Sequence, residues 1–366
     1  MKSKKLFLSV LALALVGTAL TSCNGGKPAS KAVSTGLGSV VGVDYDGESV
    51  KQVNVTTAAA SFDEDGKVIS VEFDVVQIPV VLDAEDETKV VLNATAKQVK
   101  DAGDKVIETK QELLERYGMK AISGIEKEVY EQMREFAAYV EGKTVAEVIN
   151  HGYFERDANH TYVPDQEDGA LKGKVTITVQ DYVAALMEAY ETRNAAVAVP
   201  EDATLNTGIG MTFSWNAAKA QVDAYVASIT VSDDDVIYGA YVDTLQIPFE
   251  VVEGNIKLKA SATQVKNAGP KVIESKKELG HRYGMYYIGT NGEFTLSPNA
   301  SAEWFEQVEE IENWLIGQGV DALDFADAKF GSGHELASKV TITVSGYFGV
   351  FTEAAAYAKE LPQPTA

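Results

Sequence analysis

Gln98 to Met119 reads QVKDAGDKVIETKQELLERYGM, and at a constant offset of 166 residues Gln264 to Met285 reads QVKNAGPKVIESKKELGHRYGM. The register holds without a gap, and composition alone does not produce a match of this length, so the chain is a duplicated unit. Within each copy the stretch specifies its own ends. Thr109-x-x-Glu112 and Ser275-x-x-Glu278 are capping boxes, in which a hydroxyl and a carboxylate reciprocally satisfy orphan amides. A short helix follows and stops at Gly118 or Gly284, a residue free to take the left-handed conformation of a C-cap. Tyr117, Met119, Tyr283 and Met285 flank those glycines. They are either packing residues of the cap or a flat, polarisable surface for a ligand ring.

Upstream, Gln52 to Ser61 and Val68 to Val76 alternate with period two and predict two strands joined at Asp63-Glu64-Asp65-Gly66. Gln77-Ile78-Pro79 recurs as Gln246-Ile247-Pro248, where proline is expected to stop the ladder or mark an edge. Downstream, Glu126 to Tyr139 and Ala302 to Ile316 carry apolar stripes of helical period. Val175 to Val179 reads as a last β-branched strand, and Tyr182 to Glu191 as a closing helix. The expected fold class is therefore α+β: two homologous domains, each an antiparallel sheet packed against helices. The first spans residues 34–193, opening on Ser34-Thr35-Gly36-Leu37-Gly38, and the second spans 205–360, opening near Asn206-Thr207-Gly208-Ile209-Gly210. NAAVAVPEDAT, residues 194–204, has no periodicity and reads as the linker.

The 366 residues are 45 % apolar and 23 % charged, enough for a packed core in each copy. A formal charge of −22, spread along the chain, argues against nucleic acid as a partner and against an anionic membrane surface. At the N-terminus, Lys2, Lys4 and Lys5 precede LFLSVLALALVGTAL, a charged n-region and an apolar core too short to span a bilayer, so residues 1–22 read as a signal peptide. Leu20-Thr21-Ser22-Cys23 matches a lipobox, and Cys23 is the sole cysteine. It is the expected lipidation site, its acyl chains (palmitate or similar) holding the protein to the outer face of the cell membrane. Residues 23–33 then form a tether, and the location is extracytoplasmic.

A duplicated chemistry should keep its residues in both copies. None of the four histidines does so, which leaves no repeated metal site and no repeated His-based catalysis. No Gly-x-Ser-x-Gly, Walker loop or dinucleotide fingerprint occurs. No catalytic residue is assigned. The element that is kept is Lys174-Val175-Thr176-Ile177-Thr178-Val179, identical to Lys339-Val340-Thr341-Ile342-Thr343-Val344.

The run from capping box through Tyr-Gly-Met to Val-Thr-Ile-Thr-Val resembles uncharacterised tandem-repeat secreted lipoproteins of anaerobic Gram-positive bacteria. The last segment is also similar to the extracytoplasmic FMN-binding domain, in which FMN is esterified through its phosphate to a threonine. That resemblance implies FMN as cofactor, attached at Thr341 or Thr176, with Ser338 three residues before Thr341. It departs at Lys339 and Val340, which replace Gly-Ala, and at Gly173, which replaces the serine. Lys174 and Lys339 would then attract the phosphate noncovalently. The functional expectation is a binding protein for a flavin or other small aromatic ligand. An FMN-carrying electron-transfer lipoprotein and a structural or adhesive protein that binds an envelope component are the alternatives.

Overall fold

The computed structural model describes residues 30–363 apart from 158–160, 167–168, 270, 289–293, 298–299 and 301. The signal peptide, Cys23 and residues 24–29 of the tether lie outside the described residues.

The first copy runs β1 (Ser30–Asp46), β2 (Ser49–Phe62), β3 (Val68–Leu82), β4 (Val90–Leu92), α1 (Lys97–Lys100), α2 (Lys110–Leu113), α3 (Val129–Val140), α4 (Val145–Ile149), β5 (Tyr153–Glu155), β6 (Tyr162–Pro164) and α5 (Gln180–Thr192). The second runs β7 (Val197–Pro200), β8 (Leu205–Asn216), β9 (Gln221–Ser232), β10 (Ile237–Val252), β11 (Asn255–Leu258), α6 (Thr263–Lys266), α7 (Lys276–Leu279), β12 (Tyr286–Ile288), β13 (Phe294–Leu296), α8 (Trp304–Leu315) and α9 (Ser345–Lys359). Two antiparallel meanders result, β4-β3-β2-β1-β7 and β11-β10-β9-β8. The fold is α+β, as the sequence pattern requires.

Alternation along the strands shows what each face meets. On β2, Ala58, Ala60 and Phe62 face α3 and α5, whereas Val53, Val55 and Ala59 face the other sheet. On β9 and β10, Ala227, Ile229, Ala240 and Val242 face α8 and α9, whereas Val222, Ala224, Val226, Leu245 and Ile247 face the first sheet. Both sheets are buried on both faces, so the strands read as nearly continuous apolar runs. The chain is thus four layers, helix, sheet, sheet, helix, with one apolar core shared by the two copies. Polar side chains in the seam pair with one another: Thr35 Oγ1 lies 2.7 Å from Thr230 Oγ1, and Thr207 donates to Ser61 at 2.8 Å.

The paired glycines that open each copy have a steric cause. A Cβ on Gly36 would fall 1.8 Å from the Ala189 carbonyl oxygen, and one on Gly208 would fall 1.9 Å from that of Ala354. Helices α5 and α9 lie directly on the backbone of β1 and β8, and only glycine admits that approach. These contacts also establish the equivalence of α5 and α9: Gly38 meets Ala185, and Gly210 meets Val350.

Four expectations change. Val175–Val179 and its second copy are not strands. The amides of Thr176 and Ile177 bond to the Gln132 side chain instead of a ladder, and Val175 and Val179 point into the helical core. Residues 194–204 are not a free linker. Asn194 pairs with Thr35 through both its backbone and its side chain, and β7 pairs with Ser30–Val33 of β1. The tether accordingly gives way to sheet at Ser30. Pro79 and Pro248 sit inside β3 and β10 and do not end them. Each lies in a long outer strand whose partner on the far side, β4 or β11, is short, so few ladder donors are asked of that edge.

Candidate functional site

Both capping boxes form as read, with the side chains of Thr109 and Ser275 accepting from the amides of Glu112 and Glu278. Each short helix passes into a single 3-10 turn and stops at Gly118 (φ 76°) or Gly284 (φ 95°). The chain then turns inward. Glu128, itself buried, takes the amides of Met119 and Lys120 at 2.8 and 2.9 Å.

The tyrosines and methionines beside these glycines are half-buried and make contacts within the fold. Lys110 Nζ stands 5.1 Å from the Tyr117 ring centre, and Lys276 Nζ stands 5.0 Å from that of Tyr283 and 5.1 Å from that of Trp304. Burial pushes both ammonium groups down, to about 8. The sulfurs of Met119 and Met285 meet the Nε2 of Gln132 and Gln307 at 3.7 and 3.9 Å.

The repeated hexapeptide is held in the same way twice. Gln307 Oε1 accepts from the amide of Thr341 at 2.7 Å, from its hydroxyl at 3.2 Å and from the amide of Ile342 at 3.2 Å. Gln132 does this for Thr176 and Ile177 at 2.8, 3.2 and 3.2 Å. Both glutamines are fully buried. Lys339 pairs with Glu310 at 2.7 Å and Lys174 with Glu135 at 3.3 Å. Ser338 is exposed. The Thr341 and Thr176 hydroxyls and the amides beside them are thus engaged by buried glutamine, which does not fit covalent attachment of FMN at either threonine, while the two lysines lie in exposed ion pairs. Among the described residues no group of three His, Cys, Asp or Glu side chains is placed to hold a metal ion. None of their helices is long and apolar enough to cross a membrane.

The structure instead opens a site that the sequence reading missed. A groove of about 510 Å³ runs along α9, bounded on its other side by residues 320–326. Ser345, Phe348, Thr352, Ala355 and Lys359 supply the helical wall, and Leu323, Asp324 and Phe325 face them. Phe325 and Phe348 are 4.8 Å apart between ring centres, with their planes at 37°. The volume lies within the range of small-molecule sites, about 300–1,000 Å³.

Side-chain volume along this wall differs between the two copies. Where α9 has Thr352 and Ala355, the equivalent positions of α5 are Met187 and Tyr190. Both of those side chains pack against the first copy's core, and the Tyr190 ring lies 5.2 Å from that of Phe62. At the helix start, Ser345 stands where Gln180 accepts the Tyr162 amide at 2.6 Å and so fastens the β5–β6 hairpin. Among the described residues, the second copy has no counterpart to that hairpin at this point of the chain. A line-by-line comparison of AALMEAYETRN with GVFTEAAAYAK carries the signal, since it exposes Tyr against Ala and Met against Thr.

No family model matches the chain, and no solved structure matches it. Among curated proteins it is 33 % identical over 204 residues to a chlorophenol reductase of Desulfitobacterium hafniense, a match covering 45 % of this chain. The chain spans 60 % of that relative's length.

Proposed function

We propose that the protein is a lipid-anchored, extracytoplasmic binding protein that holds one small aromatic ligand in the groove along α9. The observation that carries this reading is the substitution of Thr352 and Ala355 for Met187 and Tyr190, which empties in one copy a space the other copy fills. Phe325, half-buried, presents its ring there with the buried Phe348 packed behind it, and an aromatic ligand packs against such a ring with favourable edge and face contacts. The first copy then serves as scaffold and the second as receptor. The relative's name specifies a chlorinated phenol, and only the coarse class, a small aromatic ring, is carried over to this chain. Cys23 supplies the anchor in this reading. The covalent FMN-carrier alternative is not favoured, because Gln307 and Gln132 hold the threonine hydroxyls on which it depends.

The test is to refill the groove with the other copy's residues. The double variant Thr352→Met, Ala355→Tyr places the α5 side chains at their equivalent positions, and its thermal unfolding measured beside the parent's establishes that it folds. Titration calorimetry with 2-naphthylmethanol should give one site per parent chain and none in the variant. Equal binding by both proteins would defeat the assignment.

A further inference from the structure

The groove's polar groups are few, and their charges specify more than ring size. Two ionisable side chains line it, Asp324 and Lys359. Lys359 is already paired, its Nζ 2.5 Å from Asp235. Asp324 adjoins Phe325 in the chain, is exposed, and makes no side-chain hydrogen bond or ion pair among the described residues. Asp321 and Asp327 flank the same wall, and the chain as a whole carries −22. A ligand ring seated against Phe325 therefore meets a carboxylate at the rim, in a field that draws cations and repels anions.

Resting on the proposed binding site, we infer that its ligand is an aromatic amine, a ring joined by a short linker to an ammonium group that pairs with Asp324. Aromatic carboxylates, phenolates and phosphate-bearing flavins are disfavoured at the same place. Thr352 adds no competing donor, since its hydroxyl is spent on the Phe348 carbonyl at 2.9 Å.

Three probes matched in shape separate the charge from the ring: 2-naphthylmethylamine, 2-naphthylmethanol and 2-naphthoate, each titrated at pH 7 and low salt. The amine should bind about three- to five-fold tighter than the alcohol, the worth of one exposed ion pair, and naphthoate should bind weakest. In Asp324→Asn the amine should fall to the level of the alcohol while the alcohol is unchanged, and 0.5 M salt should have the same effect in the parent. Ala355→Tyr should abolish all three. If the amine has no advantage, or keeps it in Asp324→Asn, the charge assignment is overturned, while binding that Ala355→Tyr still abolishes preserves the groove as the site. If binding survives Ala355→Tyr, or no probe binds at all, the site itself is wrong and the charge assignment falls with it.

Discussion

Lys105 of the first copy donates to Glu353 of the last helix at 2.9 Å, and at the equivalent place Lys271 of the second copy donates to Glu188 of α5 at 3.0 Å. Each lysine also pairs with the glutamate of its own capping box, Glu112 or Glu278. The repeated stretch thus closes a helix in its own copy and reaches across to the other, which is why the duplication forms one body with a shared core. Glu353 is largely covered and accepts the Met211 amide at 3.0 Å, while Lys105 keeps about a third of its side chain in water. Glu353→Ala or Glu188→Ala should cost about 1–2 kcal/mol, between the values for exposed and buried pairs. The two losses should add, and urea unfolding should remain one transition because the sheets share their core. Two separated transitions in either variant would contradict that account.

The glycines beneath α5 and α9 make a sharper stability test. Gly36→Ala drives a methyl into the Ala189 carbonyl, and helix backbone has no easy direction in which to yield. A loss of about 3 kcal/mol is expected, at the upper end for overpacking. Gly42→Ala on the same strand meets nothing within 4 Å and should change stability by about 0.5 kcal/mol or less in either direction. Thermal unfolding of the pair decides the matter, since equal effects would mean that the helix does not rest on the strand.

Buried glutamine, rather than threonine, should dominate the energetics of the repeated hexapeptide. Gln307→Leu strips three donors of their shared acceptor and leaves the amides of Thr341 and Ile342 unpaired. The cost should be about 2–4 kcal/mol. Thr341→Val removes one of the three bonds and should cost about 1 kcal/mol. Gln132→Leu and Thr176→Val should repeat the pattern in the first copy. If the threonine variants prove the more damaging in denaturant titrations, the hydroxyls have a role beyond fastening.

What can be read from sequence divides along physical lines. Thr109 with Glu112 and Ser275 with Glu278 are legible because a capping box is complete within four residues. The stripes of α3 and α8 are legible because burial on one face repeats with helical period. Val175 to Val179 misleads because alternating β-branched residues suit any extended segment with one side buried. What keeps it out of a sheet is Gln132, more than forty residues away. The groove is invisible to motif search for a different reason. It is made by small residues, Thr352 and Ala355, and only their register against Met187 and Tyr190 gives them meaning.

Stability should fall as pH rises from about 5 to 8. Burial pushes the Asp74 carboxyl up to about 7 and Glu72 up to about 8, with Arg134 only partly offsetting the latter. Asp74 is buried beside Thr109 and the Gln111 amide, with no cation in contact among the described residues. Part of the Glu72 side chain reaches the surface, but its Oε2 is covered and unpartnered. In the unfolded chain both groups titrate near pH 4. The native state therefore holds protons that the unfolded state has lost between about pH 4 and 8. Their contribution is fully present below that window and disappears as pH climbs through the folded values. The ceiling is about 1.4 kcal/mol per pH unit for each such proton. Glu72→Gln, which keeps the shape and removes the titration, should flatten the slope most above pH 7, where Asp74 has already ionised. Urea midpoints measured at intervals from pH 5 to 8 provide the check. A midpoint that rises with pH, or a slope indifferent to Glu72→Gln, would show that these carboxyls are ionised in the native protein and that the edge of β3 is wetter than its burial implies.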